Sequence, residues 1–306
     1  MPESAPRDLV LGKRVRAFAR SYAGVHEDDA AALHRTRVAS RRLREVLPLV
    51  GLNRADARKI VRRLKRVTRR LGTVRELDVL MAVIRELHGK PDYPPMPLRE
   101  LGAAVAAARS AARERLAAKL PPARLKKLAR RLQRAVQYVK STDQQRRRSG
   151  TLGPKQAWLW ALDARSVRRA VGLQSMIHRT GALYVPEQLH ELRIAVKKLR
   201  YAEELRAEVR HCPTHDVAVL TTAQNVLGRL HDLEMLGARA RDVQSLVSSS
   251  HLMAWHRLGL LVRTLERDCR RLHGRFMRHR TKLLAVAVRI AARTDRHAQQ
   301  HDRAAS

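Results

Sequence analysis

The sequence predicts an all-α fold of two antiparallel helical bundles of the four-helix type, related by pseudo-two-fold symmetry. Apolar residues recur at helical spacing along almost the whole chain, and Ala and Leu are abundant. No stretch alternates with β-branched or aromatic residues as a strand would. A segment of the first half also returns 156 residues later. Such a repeat is typical of a duplicated structural unit.

The repeat is clearest in HRTRVASRRLR at 34–44 and HELRIAVKKLR at 190–200. Five of the eleven aligned positions are identical, and three more keep their chemistry. The same register, without a gap, aligns LGTVRELD at 71–78 with LGRLHDLE at 227–234. Two matching segments in one register indicate an internal duplication.

Proline, glycine and polar residues divide the chain into predicted helices. The longest polar stretch rich in helix breakers is 141–154, near the middle. We therefore expect an N-terminal bundle in residues 1–145, a linker at 146–154 and a C-terminal bundle in residues 155–306. The first bundle is predicted to contain helices near 7–23, 29–50, 54–71, 74–88, 97–119 and 122–140. The second is predicted to contain helices near 155–180, 186–211, 214–227, 229–248 and 251–293.

The composition combines a large positive charge with enough apolar residues to form a core. The formal net charge is +36 and the pI is near 11.7, whereas 44% of the residues are hydrophobic. The hydrophobic fraction argues against a disordered chain. Repulsion at this net charge opposes the compact state unless an anion offsets it. A polyanionic partner is the first inference.

The repeated segment predicts an amphipathic helix in each half, with a cationic face and an apolar one. At about 100° per residue, the basic positions of the first copy fall within an arc of roughly 80°. That face carries His34, Arg37, Arg41 and Arg44, opposite Ala39, Leu43, Val46 and Val50. The second copy carries His190, Arg193, Lys197, Arg200 and Tyr201, opposite Leu192, Ala195, Leu199 and Ala202.

A further basic stripe follows in the first half only. Arg58, Arg62, Lys65 and Arg69 share one helix face, and Ile60, Leu64, Val67 and Leu71 face away from it. The second half has Thr214, Ala218, Thr221 and Asn225 at the corresponding positions. A solvated face normally mixes charge signs, so several faces without acids favour a bound polyanion over a plain surface.

His34 and His190 open the two copies, each one turn before an arginine. Each could cap a helix or form hydrogen bonds within the bundle, or donate to a phosphate oxygen. Neighbouring guanidinium groups should lower the pKa of each free imidazole. Asp78 and Glu234 end the second aligned segment, one turn after Arg75 and His231. We interpret these acids as partners that hold basic side chains in position, and we include Arg75 among the predicted anion-binding residues.

The sequence has no glycine loop for nucleotides, no paired carboxylates at metal spacing and no nucleophile within a motif. Zinc at His211, Cys212 and His215 is disfavoured, since Pro213 interrupts them and no second cluster follows. We predict no enzyme activity, no cofactor and no metal. Two cysteines, no signal peptide and no long apolar stretch predict a soluble cytoplasmic protein without membrane contact.

At HRTRVASRRLR with LGTVRELDVL, and at HELRIAVKKLR with LGRLHDLEML, the sequence resembles the CHAD family, the conserved histidine α-helical domains. The resemblance implies that both bundles form one domain enclosing a basic cleft or pore that binds inorganic polyphosphate, without known catalysis. It implies an association with polyphosphate or other storage granules. The family's histidine and basic positions match His34, Arg37, Arg41, Arg42, Arg44, His190, Arg193, Lys197, Lys198, Arg200 and Tyr201.

Two other functions fit the same charge. One is non-specific binding of DNA or RNA, and the other is the coating of an acidic storage granule. Proteins that bind single strands use exposed aromatic side chains as stacking platforms. Aromatic residues make up only 3% of this chain, and Trp158, Trp160 and Trp255 lie on apolar helices, where we expect core positions.

Overall fold

The computed structural model describes residues 6–148, 153–246 and 251–293, and these ranges contain α-helices and no strand. The all-α prediction is confirmed. A 3₁₀ turn, Ala23–His26, follows the first helix. The α-helices are α1 (Arg7–Tyr22), α2 (Ala30–Val46), α3 (Arg54–Leu87), α4 (Pro95–Lys119), α5 (Pro122–Arg148), α6 (Gly153–Arg179), α7 (Pro186–Arg210), α8 (His215–Ser245) and α9 (Leu252–Ala291).

Several helix ends follow from local chemistry. The Asp29 side chain accepts a hydrogen bond from the Ala31 amide at the start of α2, and Asn53 does the same for Ala55 at the start of α3. Such caps satisfy amides that have no partner within the helix. Gly51 adopts a positive φ of 77° between these two helices, a conformation that glycine accepts without steric cost. Helix α7 begins at Pro186, where a missing amide is harmless.

Two predicted helix breaks do not occur. Residues 54–71 and 74–88 were expected as separate helices, but α3 runs through Gly72 for 34 residues. Likewise, separate helices were expected at 214–227 and 229–248, but α8 passes through Gly228 and has 31 residues, ending at Ser245; residues 247–248 lie outside the described residues. A glycine inside a helix costs only about 1 kcal/mol relative to alanine, and the buried apolar positions on both sides of each glycine outweigh that cost.

The predicted apolar faces are buried. In α2, Leu43 and Val46 are fully buried, and in α7 Leu192 and Leu199 are fully buried. One core cluster combines α1, α2, the first half of α3 and α5, and also includes Trp158, Leu162, Leu205 and Val209 from the second half of the chain. A second cluster combines α6, α7, the first half of α8 and the last part of α9.

A third core cluster joins the two halves of the chain. It contains Leu80, Val83 and Leu87 of α3 and Leu98 and Leu101 of α4, packed with α8 and α9 from Leu233 to Cys269. Helices α5 and α6 also extend into the predicted linker 146–154, of which residues 149–152 lie outside the described residues. The division at this linker and the pseudo-two-fold relation stay predictions.

Helices α2 and α7, which carry the two copies of the repeated segment, contact each other. Helices α3 and α8 also contact each other across the halves. Within the repeated segments, Leu43 of α2 packs in the first core cluster and Leu192 and Leu199 of α7 pack in the second, so the cationic faces of the two segments are left to meet between the clusters.

Candidate functional site

A cavity of about 500 Å³ lies where α2, α3, α7 and α8 come together. Its wall combines the cationic faces of both copies of the repeated segment. Nine predicted site residues line it, namely His34, Arg37, Arg41, Arg75, His190, Arg193, Lys197, Arg200 and Tyr201. Two segments 156 residues apart in sequence therefore form one site.

Gly72 of α3 lies at the point where Arg37 of α2 contacts α3. The Arg37 Nη1 atom donates a hydrogen bond to the Thr68 carbonyl oxygen at 2.7 Å. A Cβ atom on Gly72 would lie 3.0 Å from the same nitrogen. In the second half, a Cβ atom on Gly228 would lie 3.9 Å from the Arg193 Nε atom. The missing side chain of Gly72 therefore lets Arg37 lie close to α3, whereas the contact at Gly228 would be an ordinary van der Waals contact.

Most cations of the cavity lack a counter-charge in direct contact. Within the described part of the chain, Arg41, Arg75 and Lys197 form neither a hydrogen bond nor an ion pair. The Arg193 Nε atom is buried without a hydrogen-bond partner. Buried polar groups of proteins are nearly always hydrogen-bonded. The vacant donors of this cavity are therefore available to an anionic ligand.

Arg200 is the exception among these cations. Its Nη1 atom lies 2.6 Å from Glu204, and its Nε atom donates to Gln224 at 2.9 Å. Its guanidinium carbon also lies 4.9 Å from the centre of the Tyr201 ring. Tyr201 itself is only 7% exposed, so it supports the arginine more than it offers a surface.

Two carboxylates line the cavity that the sequence analysis did not single out. Glu76 of α3 and Asp232 of α8 are equivalent in the repeat register. Burial lowers the pKa of both Arg37 and Arg193, and the negative charges of Glu76 and Asp232 offset part of this lowering. The sequence could have pointed to these two carboxylates, because they occupy the same position in the second aligned segment. Two acids leave the six lysine and arginine side chains of the cavity only partly neutralised.

The pKa of Lys197 reflects the crowding of cations in the cavity. Burial, followed by the nearby charges of Arg193, Arg41, Arg37 and Arg200, lowers the pKa of Lys197 to about 7. Burial and the charge of Arg41 lower the pKa of Arg37 to about 10. Each charge added to this cavity therefore costs free energy unless an anion is present.

The two histidines that open the repeat lie in different surroundings. His34 is exposed, whereas His190 is half-buried with its Nδ1 atom 3.4 Å from that of His231. Burial is the largest cause of the lowered pKa of both histidines. Arg75, Arg37 and Arg41 lower the pKa of His34 further, and His231 and Arg193 do so for His190. From the sequence, we expected the pKa of both histidines to be lowered by the neighbouring arginines alone.

The other predicted site residues lie outside this cavity. Arg42 is exposed and pairs with Glu204 at 3.2 Å, Arg44 is half-buried, and Lys198 is exposed. The stripe on the first half of α3 is exposed as predicted, at Arg58, Arg62, Lys65 and Arg69. Because these residues lie at helical spacing before Glu76, they continue the face of α3 that reaches the cavity.

Asp78 and Glu234 hold side chains in position, and the partner of Asp78 is basic, as expected. Asp78 accepts a hydrogen bond from Arg109 Nε of α4 at 2.7 Å. Glu234 accepts one from the Tyr184 hydroxyl at 2.8 Å and lies 3.8 Å from His231 Nδ1. In the described residues, no group of three or more His, Cys, Asp and Glu side chains is placed to hold a metal ion. Every helix within those ranges is also too short or too polar to cross a membrane.

A family model described as the CHAD domain matches residues 9–241. The chain is also similar to two solved structures. A CHAD domain from the plant Ricinus communis is 21% identical, with 90% of this chain and 93% of that chain covered and a TM-score of 0.59. PptA from Streptomyces chartreusis is 15% identical, with 89% and 97% covered and a TM-score of 0.60. At these identities the two structures support the fold alone. No curated protein matches the sequence.

Replacing Lys197 by Met should stabilise the free protein, because the charge of Lys197 is poorly accommodated. A pKa lowered to about 7 means that the folded state binds fewer protons than the unfolded state between about pH 7 and 10. The unfavourable charging is therefore complete below pH 7 and disappears as the pH rises. We expect Lys197→Met to raise the free energy of unfolding by about 1–3 kcal/mol at pH 6, and by less at pH 9.

The measurement is thermal unfolding against pH, and the control is Lys198→Met, which removes the neighbouring exposed lysine. Equal Tm values for the two variants across the pH range would show that the cavity does not destabilise the charged form of Lys197.

Proposed function

The chain belongs to the CHAD domain family, and we propose that the cavity between α2, α3, α7 and α8 binds inorganic polyphosphate. The protein acts as a binding or targeting module and not as a catalyst. Its predicted location is the cytoplasm, in association with polyphosphate or other storage granules. Both halves of the duplicated chain contribute to this one site.

One observation carries the proposal. Six lysine and arginine side chains from both copies line a single cavity, and four of them, Arg41, Arg75, Arg193 and Lys197, have no hydrogen bond or ion pair in the described residues. Such a site is costly in the free protein and favourable once a ligand with several negative charges occupies it. Arginine also matches the oxygen geometry of phosphate, since its guanidinium group donates two parallel hydrogen bonds.

A linear polyanion suits the spacing of these cations. On α2 the basic residues follow one another at intervals of one turn, from His34 to Arg44. At about 1.5 Å per residue, this stretch spans roughly 15 Å. A single phosphate ion would contact only a part of it. A chain of phosphates presents charge along the whole length and extends to the stripe at Arg58, Arg62, Lys65 and Arg69 on α3.

Nucleic acid is the competing ligand, and the aromatic residues argue against it. Trp158 is buried as predicted, but Trp160 and Trp255 are each 48% exposed, so the prediction of core positions was wrong for these two. Both lie on outward-facing helix surfaces, and neither lines the cavity. Its lining offers phosphate-binding groups without a platform on which bases would stack.

The proposal is tested by binding of labelled polyphosphate in competition with duplex and single-stranded DNA. We expect polyphosphate to compete best, with roughly 6–10 phosphates engaged and affinity falling by about 10³–10⁵ from 50 to 200 mM salt. Replacing Arg37, Arg41, Lys197 and Arg200 together by Ala should weaken binding by at least about a hundredfold.

The matched control replaces Arg99, Arg115, Lys126 and Arg130 by Ala. These four substitutions remove the same number of positive charges, but from exposed positions on α4 and α5. Equal losses in the two variants would mean that the affinity comes from net charge and not from the cavity. Stronger competition by DNA would favour the nucleic-acid function.

The affinity should also depend on pH, because the cavity holds bases whose pKa is lowered in the free protein. A bound phosphate chain raises the pKa of His34, His190 and Lys197, so binding takes up protons. Affinity should therefore strengthen as the pH falls from about 8 to 6. The double change of His34 and His190 to Gln should remove the histidine part of this dependence and leave the Lys197 part and the salt dependence.

Isothermal titration in buffers of different ionisation enthalpy measures the proton uptake directly. The control replaces His178 and His256 by Gln, two exposed histidines that do not line the cavity. If the variant at His34 and His190 takes up as many protons as this control, the two repeat histidines do not meet the anion.

A further inference from the structure

Two more cavities adjoin the central one, one at His34 and the other at His190. A cavity of about 820 Å³ between α1, α2, α7 and α8 shares His34 and Val38 with it. A cavity of about 720 Å³ between α7, α8 and α9 shares His190, His231 and Met235 with it. A polyanion that extends beyond the central cavity must pass one of these neighbours or follow the surface of α3.

The cavity at His34, here called the basic mouth, continues the positive charge. Its cationic side chains are Lys13, Arg14, Arg20, Arg35 and Arg42. Two carboxylates, Glu204 and Glu208, accompany them and pair with Lys13, Arg14 and Arg42. The basic mouth keeps an excess of positive charge after this pairing.

The cavity at His190, here called the acidic mouth, has the opposite balance. Four carboxylates line it, at Glu187, Glu191, Glu234 and Glu266. Only two cations, Arg241 and Arg270, oppose them, and Arg241 already pairs with Glu266. This excess of acids stands out in a chain with 64 basic and 28 acidic residues.

The two halves of the chain also differ along α3 and α8. The exposed stripe on α3 is basic, whereas the equivalent positions of the second half are Thr214, Ala218, Thr221 and Asn225, and Thr214 lines the basic mouth. A polyanion that entered the acidic mouth would meet its carboxylates, and like charges repel it.

From this arrangement we propose that the cavity binds a linear polyphosphate by its end, with the terminal phosphate at His190 and His231 and the chain leaving on the His34 side. This inference rests on the proposed function and adds a direction to it. The terminal phosphate carries up to two negative charges and three oxygens, against about one charge for an internal phosphate. His190 and His231 line both the central cavity and the acidic mouth, with their Nδ1 atoms 3.4 Å apart, and an imidazole N–H group can donate a hydrogen bond to a phosphate oxygen.

The end of the chain is the chemical feature that the experiment removes. We compare a linear polyphosphate with free ends and one of the same length whose two terminal phosphates are blocked as amides. Binding by the end predicts that blocking weakens affinity by at least about tenfold, a free energy of about 1.4 kcal/mol. A site that binds the middle of the chain would lose little, because the internal phosphates are unchanged.

A second arm tests the acidic mouth. Glu187→Gln with Glu191→Gln removes two exposed carboxylates, and we expect it to restore part of the affinity for the blocked chain. The matched control, Glu100→Gln with Glu114→Gln, makes the same change of charge on α4, away from the three cavities.

The outcomes separate the two proposals. Equal affinity for free-ended and blocked chains, or an equal gain in both double variants, overturns binding by the end and leaves polyphosphate binding intact. If neither chain binds, the proposed function fails, and binding by the end fails with it.

Discussion

The repulsion among like charges at the junction of α2, α3, α7 and α8 is the constraint on which the rest of the structure depends. The apolar faces of α2 and α7 are fully buried at Leu43, Val46, Leu192 and Leu199. Burial of one such side chain contributes roughly 1.5–3 kcal/mol. That contribution fixes the helices in an orientation that forces their arginines and Lys197 together. The core supplies the free energy that holds an unfavourable cluster of charge.

The same constraint connects stability to binding. A ligand that binds only the folded state stabilises it, by about 2.7 kcal/mol at a concentration one hundred times its Kd. In this protein a bound anion would also offset the burial and the repulsion that together lower the pKa of Lys197 to about 7. Ligand binding, the protonation of Lys197 and folding stability therefore all depend on how far the positive charge of the cavity is offset. Glu76 and Asp232 offset a part of this positive charge but not all of it.

Much of the fold and of the site could be predicted from the sequence, because the helical period and the repeat register act over short distances. They located the cationic faces of α2 and α7 and their apolar backs. They failed at Gly72 and Gly228, where a glycine that looks like a helix end lies inside a long helix, and Gly72 makes room for Arg37. They also gave no indication of the core that joins α3 and α4 to α8 and α9, since periodicity shows that a face is buried but not what covers it. Trp160 and Trp255 were misjudged for the related reason that an apolar helix can still expose one side.

The central claim is that a polyanion occupies the cavity and takes the place of the missing counter-charges. A crystal structure of the full chain with a short linear polyphosphate tests it most directly. The account predicts phosphate oxygens within hydrogen-bonding distance of Arg37, Arg41, Arg193 and Lys197, with the buried Arg193 Nε atom among the donors. A polyphosphate bound along the exposed stripe at Arg58, Arg62, Lys65 and Arg69, with none in the cavity, would contradict it.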